Sequence, residues 1–161
     1  MKVNSSRVTP VEPDFHASGA GPRLTVPDAE SRGPAPLRVL LVEDDEADLY
    51  LILRALAGNP DVGQVMVARD GVEALKLVDE SRTVPDLGIL DLKMPRKDGF
   101  ALLRDFASRP YAKFPTVVLS SSRSGADIYR SKKRGAMEFV SKPNTAEKLK
   151  TTLDAIISRF H

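Results

Sequence analysis

Gly88-Ile89-Leu90-Asp91-Leu92-Lys93-Met94-Pro95-Arg96-Lys97-Asp98-Gly99-Phe100 is a short apolar run that ends in one carboxylate, followed by a proline and a turn pair. Leu87 to Leu90 reads as a buried strand, because apolar residues without alternation suit a strand covered on both faces. Asp91 then falls at the carboxyl end of the strand, the edge of an open α/β sheet where ligands bind. An acid there is either a turn former or helix cap, or a functional group. The stretch alone does not choose between them.

Outward from this strand the same pattern repeats. Leu37 to Val42 is a β-type run that ends in Glu43-Asp44-Asp45-Glu46, and Ala47 to Ala57 carries Leu49, Tyr50, Leu53 and Leu56 at helical spacing before Gly58-Asn59-Pro60. Val65 to Ala68 is a second strand, turned by Asp70-Gly71 into a helix over Val72 to Glu80. After the central strand, a third helix runs from Phe100 to Phe106 and a fourth strand from Thr116 to Leu119, ending at Ser120. Ser124 to Arg134 is a fourth helix stopped by Gly135, a glycine placed to follow the C-cap. Met137 to Val140 is the fifth strand and ends in Ser141-Lys142-Pro143; the last helix runs from about Thr145 to Phe160. Asn144 and Glu147 are spaced as its N-cap and capping-box partner.

Strictly alternating strands and helices predict parallel strands joined by right-handed crossovers, with helices on both faces. Five such units fill residues 37–161, whereas a closed eight-unit barrel needs roughly 250 residues. The expected fold is α/β: a flavodoxin-like (βα)5, doubly wound, five-stranded parallel sheet in the order 2-1-3-4-5.

Residues 1–36 differ from the rest. They hold six of the twelve prolines, show no apolar periodicity, and balance four basic residues against four acidic ones. Such a segment buries too little surface to offset its ordering entropy, so it is read as a disordered Pro-rich extension, with the folded domain at 37–161. The formal net charge of +2 provides no global field for nucleic acid. The sequence has no cysteine, which excludes disulfides and thiolate chemistry, and His16 and His161 lie near the ends, away from any histidine-based site. No segment approaches the roughly 20 apolar residues of a membrane span, and the N-terminus lacks a signal-peptide core. A cytoplasmic protein without membrane or nucleic-acid partners is expected.

The residues that follow the strands carry the chemistry. Strand 1 delivers Glu43 and Asp44, strand 3 Asp91, strand 4 Ser120 and strand 5 Lys142, and a parallel sheet brings all these ends to one edge. Three close carboxylates repel unless a cation joins them or some remain protonated. An oxygen-only ligand set favours a hard ion such as Mg²⁺, which takes few carboxylates and completes its shell with waters and phosphate oxygens. A carboxylate is also a nucleophile that forms an aspartyl-phosphate, and phosphoryl transfer rests on positioning and charge neutralisation. Asp91 is thus the candidate acceptor, Glu43 and Asp44 the metal holders, and Lys142 and Ser120 the groups that grip the phosphoryl oxygens. Taken singly, each has a bland reading: an acidic turn capping helix 1, a turn serine, a surface lysine.

The segments Val42-Glu43-Asp44-Asp45, Leu90-Asp91-Leu92-Lys93-Met94-Pro95, Val118-Leu119-Ser120-Ser121 and Val140-Ser141-Lys142-Pro143 closely resemble the receiver domain of two-component response regulators. The match spans about Arg38 to Phe160 and looks CheY-like and single-domain. Pro95-Arg96-Lys97-Asp98-Gly99 is similar to stand-alone regulators paired with bacterial phytochrome-type sensor kinases. The resemblance implies that Asp91 accepts a phosphoryl group from a histidine kinase or histidine phosphotransfer protein. It implies Mg²⁺ held by Asp44, Asp91, Glu43 and the Lys93 backbone carbonyl. It further implies Ser120 and Lys142 as the switch hydroxyl and lysine, Phe139 as the aromatic that moves on activation, and a cis peptide before Pro143. Lys93 and Ser122 occupy positions that tune phosphoryl lifetime in relatives. Gly88 departs from the family's usual aliphatic residue, which either permits close packing or costs stability.

Only His161 follows Phe160, so the expected output is not enzymatic but a binding surface. Arg130, Lys132, Lys133, Arg134, Lys148 and Lys150 place it on the helix 4–strand 5–helix 5 face, toward a downstream target or a second copy. The competing reading is a phosphorylation-independent adaptor of the same fold. A phosphohydrolase of the haloacid dehalogenase type needs a second Asp two residues after the nucleophile, and that residue is Lys93.

Overall fold

Strands β1 (Leu37–Val42), β2 (Val62–Ala68), β3 (Leu87–Leu90), β4 (Thr116–Ser120) and β5 (Glu138–Ser141) alternate with helices α1 (Glu46–Ala57), α2 (Gly71–Glu80), α3 (Gly99–Ser108), α4 (Gly125–Lys133) and α5 (Ala146–Phe160). This is a computed structural model, and it describes residues 34–81 and 84–161. The strands form one parallel sheet in the order β2-β1-β3-β4-β5, the flavodoxin-like arrangement expected. Of the expected N-terminal extension, residues 1–33 lie outside the described residues, and residues 34–36 are exposed. No helix among the described residues is long and apolar enough to cross a membrane.

Alternate residues of a strand point to opposite faces, so the unbroken apolar runs of β1, β3 and β4 feed two cores at once. Val39, Leu41, Ile89, Val117 and Leu119 meet Leu49, Ile52 and Leu56 of α1 and Leu149, Leu153 and Ile156 of α5 on one face. Leu40, Val42, Leu90 and Val118 meet Ala74 and Val78 of α2 and Phe100, Leu102, Leu103 and Phe106 of α3 on the other. α4 buries only Ser131, whose hydroxyl donates to the Asp127 carbonyl one turn back.

Several boundaries differ from the sequence reading. β2 begins at Val62 rather than Val65, because Val62 pairs with Leu37 across a register shift. The cap of α5 is Thr145, not Asn144: its hydroxyl accepts from the Lys148 N–H at 3.2 Å. The helix begins one residue later than a capping box from Asn144 requires, so Glu147 does not occupy the position that would complete the box. Gly135 does follow the α4 C-cap, with φ +99° and its N–H donating to the Lys132 carbonyl. Gly88 serves close packing: a Cβ there would lie 3.0 Å from the Phe114 ring and 3.2 Å from the Thr116 hydroxyl.

The tightest backbone approach lies beside Asp91. The Gly99 N–H donates to the Leu92 carbonyl at 3.0 Å, and a Cβ on Gly99 would sit 2.3 Å from the Asp91 carbonyl oxygen and 2.8 Å from the Leu92 Cα. Neither neighbour is a flexible side chain, so the main chain itself would have to move. Gly99→Ala is expected to lower unfolding stability by about 1–3 kcal/mol, measured by urea denaturation. Unchanged stability would show that the loop after β3 yields freely.

Candidate functional site

The ladder bonds of the sheet run past the strand ends and carry the site residues with them. The Glu43 N–H donates to the Ala68 carbonyl, the Asp91 N–H to the Val42 carbonyl (both 3.0 Å), and the Lys142 N–H to the Ser120 carbonyl at 2.8 Å. Glu43, Asp91 and Ser120 are thereby held at 1%, 7% and 0% exposure. One carboxylate oxygen from each of Glu43, Asp44 and Asp91 lies within 4.8 Å of the other two.

Within the acidic turn after β1 the duties divide. Asp45 is the N-cap of α1, its carboxylate accepting from the Asp48 N–H at 2.8 Å. Glu43 accepts from the Asp45 N–H at 3.1 Å and faces inward. The turn is therefore a helix cap through Asp45 and part of the acidic cluster through Glu43 and Asp44.

Lys142 enters this cluster from β5. Its ammonium donates to Glu43 Oε2 and Asp48 Oδ2, each at 2.7 Å, and stands 3.7 Å from Asp91 Oδ1. The Asp91 carboxylate accepts from the Leu92 and Lys93 N–H groups and from the Ser120 hydroxyl. Even so, burial pushes the Asp91 carboxyl above its usual range, outweighing the Lys142 charge and these hydrogen bonds. Glu43 is raised for the same reason, with Lys142 opposing and the Asp91 charge adding to the rise. Burial alone would lower Lys142, but hydrogen bonds to Asp48 and Glu43 and the charges of Asp91 and Glu43 outweigh it, and its pKa is raised. The ammonium has more carboxylate than it needs, and the carboxylates have too little positive charge. Oxygen-only donors short of positive charge suit a hard divalent cation.

The remaining expected site residues fall as follows. Lys93 is exposed on the loop after Asp91. Ser122 donates its N–H to the Ser120 hydroxyl at 3.3 Å, while its own hydroxyl donates to Asp127 of α4 at 2.6 Å. Phe139 is half-buried and packs against the α2–α3 core face. The Lys142–Pro143 peptide corrects the cis expectation: the described residues contain no cis bond. Trans is the intrinsically favoured isomer even before proline, and with it the Lys142 ammonium already meets Glu43 and Asp48.

Two features escaped the sequence reading. Asp48 grips Lys142, and its only sequence signal was its place one turn after Asp44, at the same sheet edge. The second is a tie across loops. Asp70 caps α2 by accepting from the Val72 and Glu73 N–H groups at 2.8 and 2.9 Å, and its other oxygen accepts from Arg96 Nε at 2.6 Å. Arg96 holds φ +61°, and the Gly71 N–H donates to the Lys97 carbonyl at 3.1 Å. The loop carrying Lys93 is thus fastened to α2. On α4, Arg130 and Arg134 lie over the Phe100 ring at 4.0 and 5.7 Å, so two of its four expected surface cations also hold α4 to α3.

A carboxyl with a raised folded-state pKa supports folding below its unfolded pKa, and that support is lost as pH rises through the folded value. Above its folded-state pKa the ionised Asp91 therefore weakens the metal-free fold. Asp91→Asn is expected to raise Tm by a few degrees in chelator, with the gap to wild type closing as pH falls into the carboxyl range. Mg²⁺ is expected to raise Tm of the wild type more than that of the variant. Thermal denaturation checks both, and a destabilised Asp91→Asn would contradict the charge imbalance.

The response regulator receiver domain family matches residues 39–154. The transcriptional regulatory protein PdtaR of Mycobacterium tuberculosis is 35% identical over 140 residues, covering 85% of this chain and 64% of that protein. A protein-glutamate methylesterase/protein-glutamine glutaminase of Anaeromyxobacter dehalogenans is 39% identical over 107 residues, covering 66% of this chain and 29% of that protein. The chain spans less than two thirds of the length of either relative. Among solved structures, the phosphorylated cyanobacterial phytochrome response regulator RcpA is similar at 32% identity and TM-score 0.73, covering 78% of this chain and 94% of that one. The Mn²⁺-bound response regulator Rcp1 is similar at 29% identity and TM-score 0.70, covering 76% and 93%. The family match and the strand order agree, and the protein belongs to the response regulator receiver family.

Proposed function

We propose that this chain is a two-component signalling regulator in which Asp91 accepts a phosphoryl group from the phosphohistidine of a sensor kinase or phosphotransfer protein. The observation that carries it is the convergence of the Asp91 carboxylate, the Ser120 hydroxyl, the Lys142 ammonium and the Glu43–Asp44–Asp91 cluster at one sheet edge. The likeness to RcpA, phosphorylated in its solved form, and to Mn²⁺-bound Rcp1 supports the same reading. It favours a phytochrome-type sensor as donor.

In the transfer, an Asp91 carboxylate oxygen attacks phosphorus, the O–P bond forms and the histidine N–P bond breaks. The imidazole leaves and takes up a proton. Glu43, Asp44, Asp91 and the Lys93 carbonyl would hold Mg²⁺, which when bound neutralises charge on the phosphoryl oxygens. The Ser120 hydroxyl donates to one phosphoryl oxygen and Lys142 pairs with another. The phosphoryl group changes the partners of Ser120 and Lys142, and through β4 and β5 biases the half-buried Phe139 and the α4–β5–α5 face. That face presents exposed Tyr129 and Met137 beside Lys132 and Lys133 to a target protein or a second copy. The protein works in the cytoplasm, where its kinase donor has phosphohistidine to give.

Intact mass after incubation with acetyl phosphate and Mg²⁺ tests the reading. One phosphoryl adduct is expected on the wild type and none on Asp91→Asn or in chelator. No adduct, and no Mg²⁺-dependent binding of beryllofluoride, would leave a phosphorylation-independent adaptor as the function.

A further inference from the structure

Lys142 is shared among carboxylates that do not have equal duties. Glu43 and Asp91 belong to the acidic cluster that suits a metal, and Asp48 does not. Yet Asp48 holds the ammonium at 2.7 Å, as closely as Glu43 does and closer than Asp91, which stands at 3.7 Å. The main chain of Asp48 is fixed in the first turn of α1, because its N–H donates to the Asp45 cap. Its carboxylate is less confined: the side chain is 39% exposed, whereas Glu43 and Asp91 are nearly buried. Asp48 and Lys142 also border a cavity of about 240 Å³ with Pro143 and Thr145, between α1 and the start of α5. A carboxylate beside open space and solvent can release its partner without being left desolvated.

We propose that Asp48 is a positioning residue that retains Lys142 in the unphosphorylated protein and competes with the phosphoryl group on Asp91 for that ammonium. The proposal rests on Asp91 being the phosphoacceptor. A phosphoryl group brings more negative charge than the Asp91 carboxylate alone, so Lys142 turns toward it and Asp48 is released to water. Asp48 thereby sets how strongly the resting form resists activation. The coupling runs through one charge-assisted pair, and couplings of that kind alter ligand affinity by about fivefold or more.

The experiment is titration of the full chain with beryllofluoride in Mg²⁺, followed by fluorine and amide NMR, in wild type and four variants. Asp48→Asn is expected to bind about fivefold or more tightly than wild type. Asp48→Glu, which keeps the pair, is expected to stay near wild type. On a Lys142→Met background, adding Asp48→Asn is expected to change nothing, because the competition acts only through Lys142. Equal or weaker binding by Asp48→Asn overturns the proposal. Equal tightening on the Lys142→Met background overturns it too, since the effect would then be a general loss of negative charge. A wild type that binds no beryllofluoride overturns the phosphoacceptor reading itself, which separates the two failures.

Discussion

The parallel register that aligns the carboxyl ends of β1 and β3 is the constraint on which the rest of this structure depends. Val42 pairs with Ala68 on one side and Leu90 on the other. Ladder bonds beyond those pairs place Glu43 and Asp91 side by side. The apolar neighbours that make these strands stable also remove the two acids from water. Packing and chemistry are therefore coupled: the sheet that buries Val42 and Leu90 creates a site with too much negative charge for the Lys142 ammonium that reaches it.

That imbalance explains why the surrounding loops are held so closely. An acidic pocket that opened freely would relax by taking in water, and Glu43 and Asp91 would return to their ordinary pKa. Here Gly99 seals the loop after β3 against the backbone of Asp91 and Leu92. Arg96, in a left-handed conformation that costs about 1 kcal/mol or more, ties the same loop to Asp70 at the start of α2. Ser122 ties the loop after β4 to α4 through Asp127. Both loops are thus fastened to a helix, so a change of charge at Asp91 has α2 and α4 to act on.

α4 is the least committed of those elements. It buries only Ser131, and Arg130 and Arg134 at its end lie over the Phe100 ring of α3. Cation–π contacts at partly exposed sites contribute about 0.5–1 kcal/mol each, less than a buried apolar face of several residues. A helix held in this way can shift without disturbing the core, and it borders β5, which carries Phe139 and leads directly into Lys142.

The sequence by itself determined the fold and the placement of the candidate site residues at the strand ends. Unbroken apolar runs alternating with helical periodicity admit few topologies, and a parallel sheet sends every strand end to one edge. The acids, Ser120 and Lys142 could be named because each lies at or just past the carboxyl end of a strand. What only the tertiary structure decided were pairings set by side-chain reach rather than by chain order. Asp48 and Lys142 meet across 94 residues of chain, as Arg96 and Asp70 do from separate loops, and neither pair leaves a periodic trace. The trans bond before Pro143 and the move of the α5 cap from Asn144 to Thr145 belong with them. Both are local choices among conformers of similar energy, made by the contacts around them and not by the residues alone.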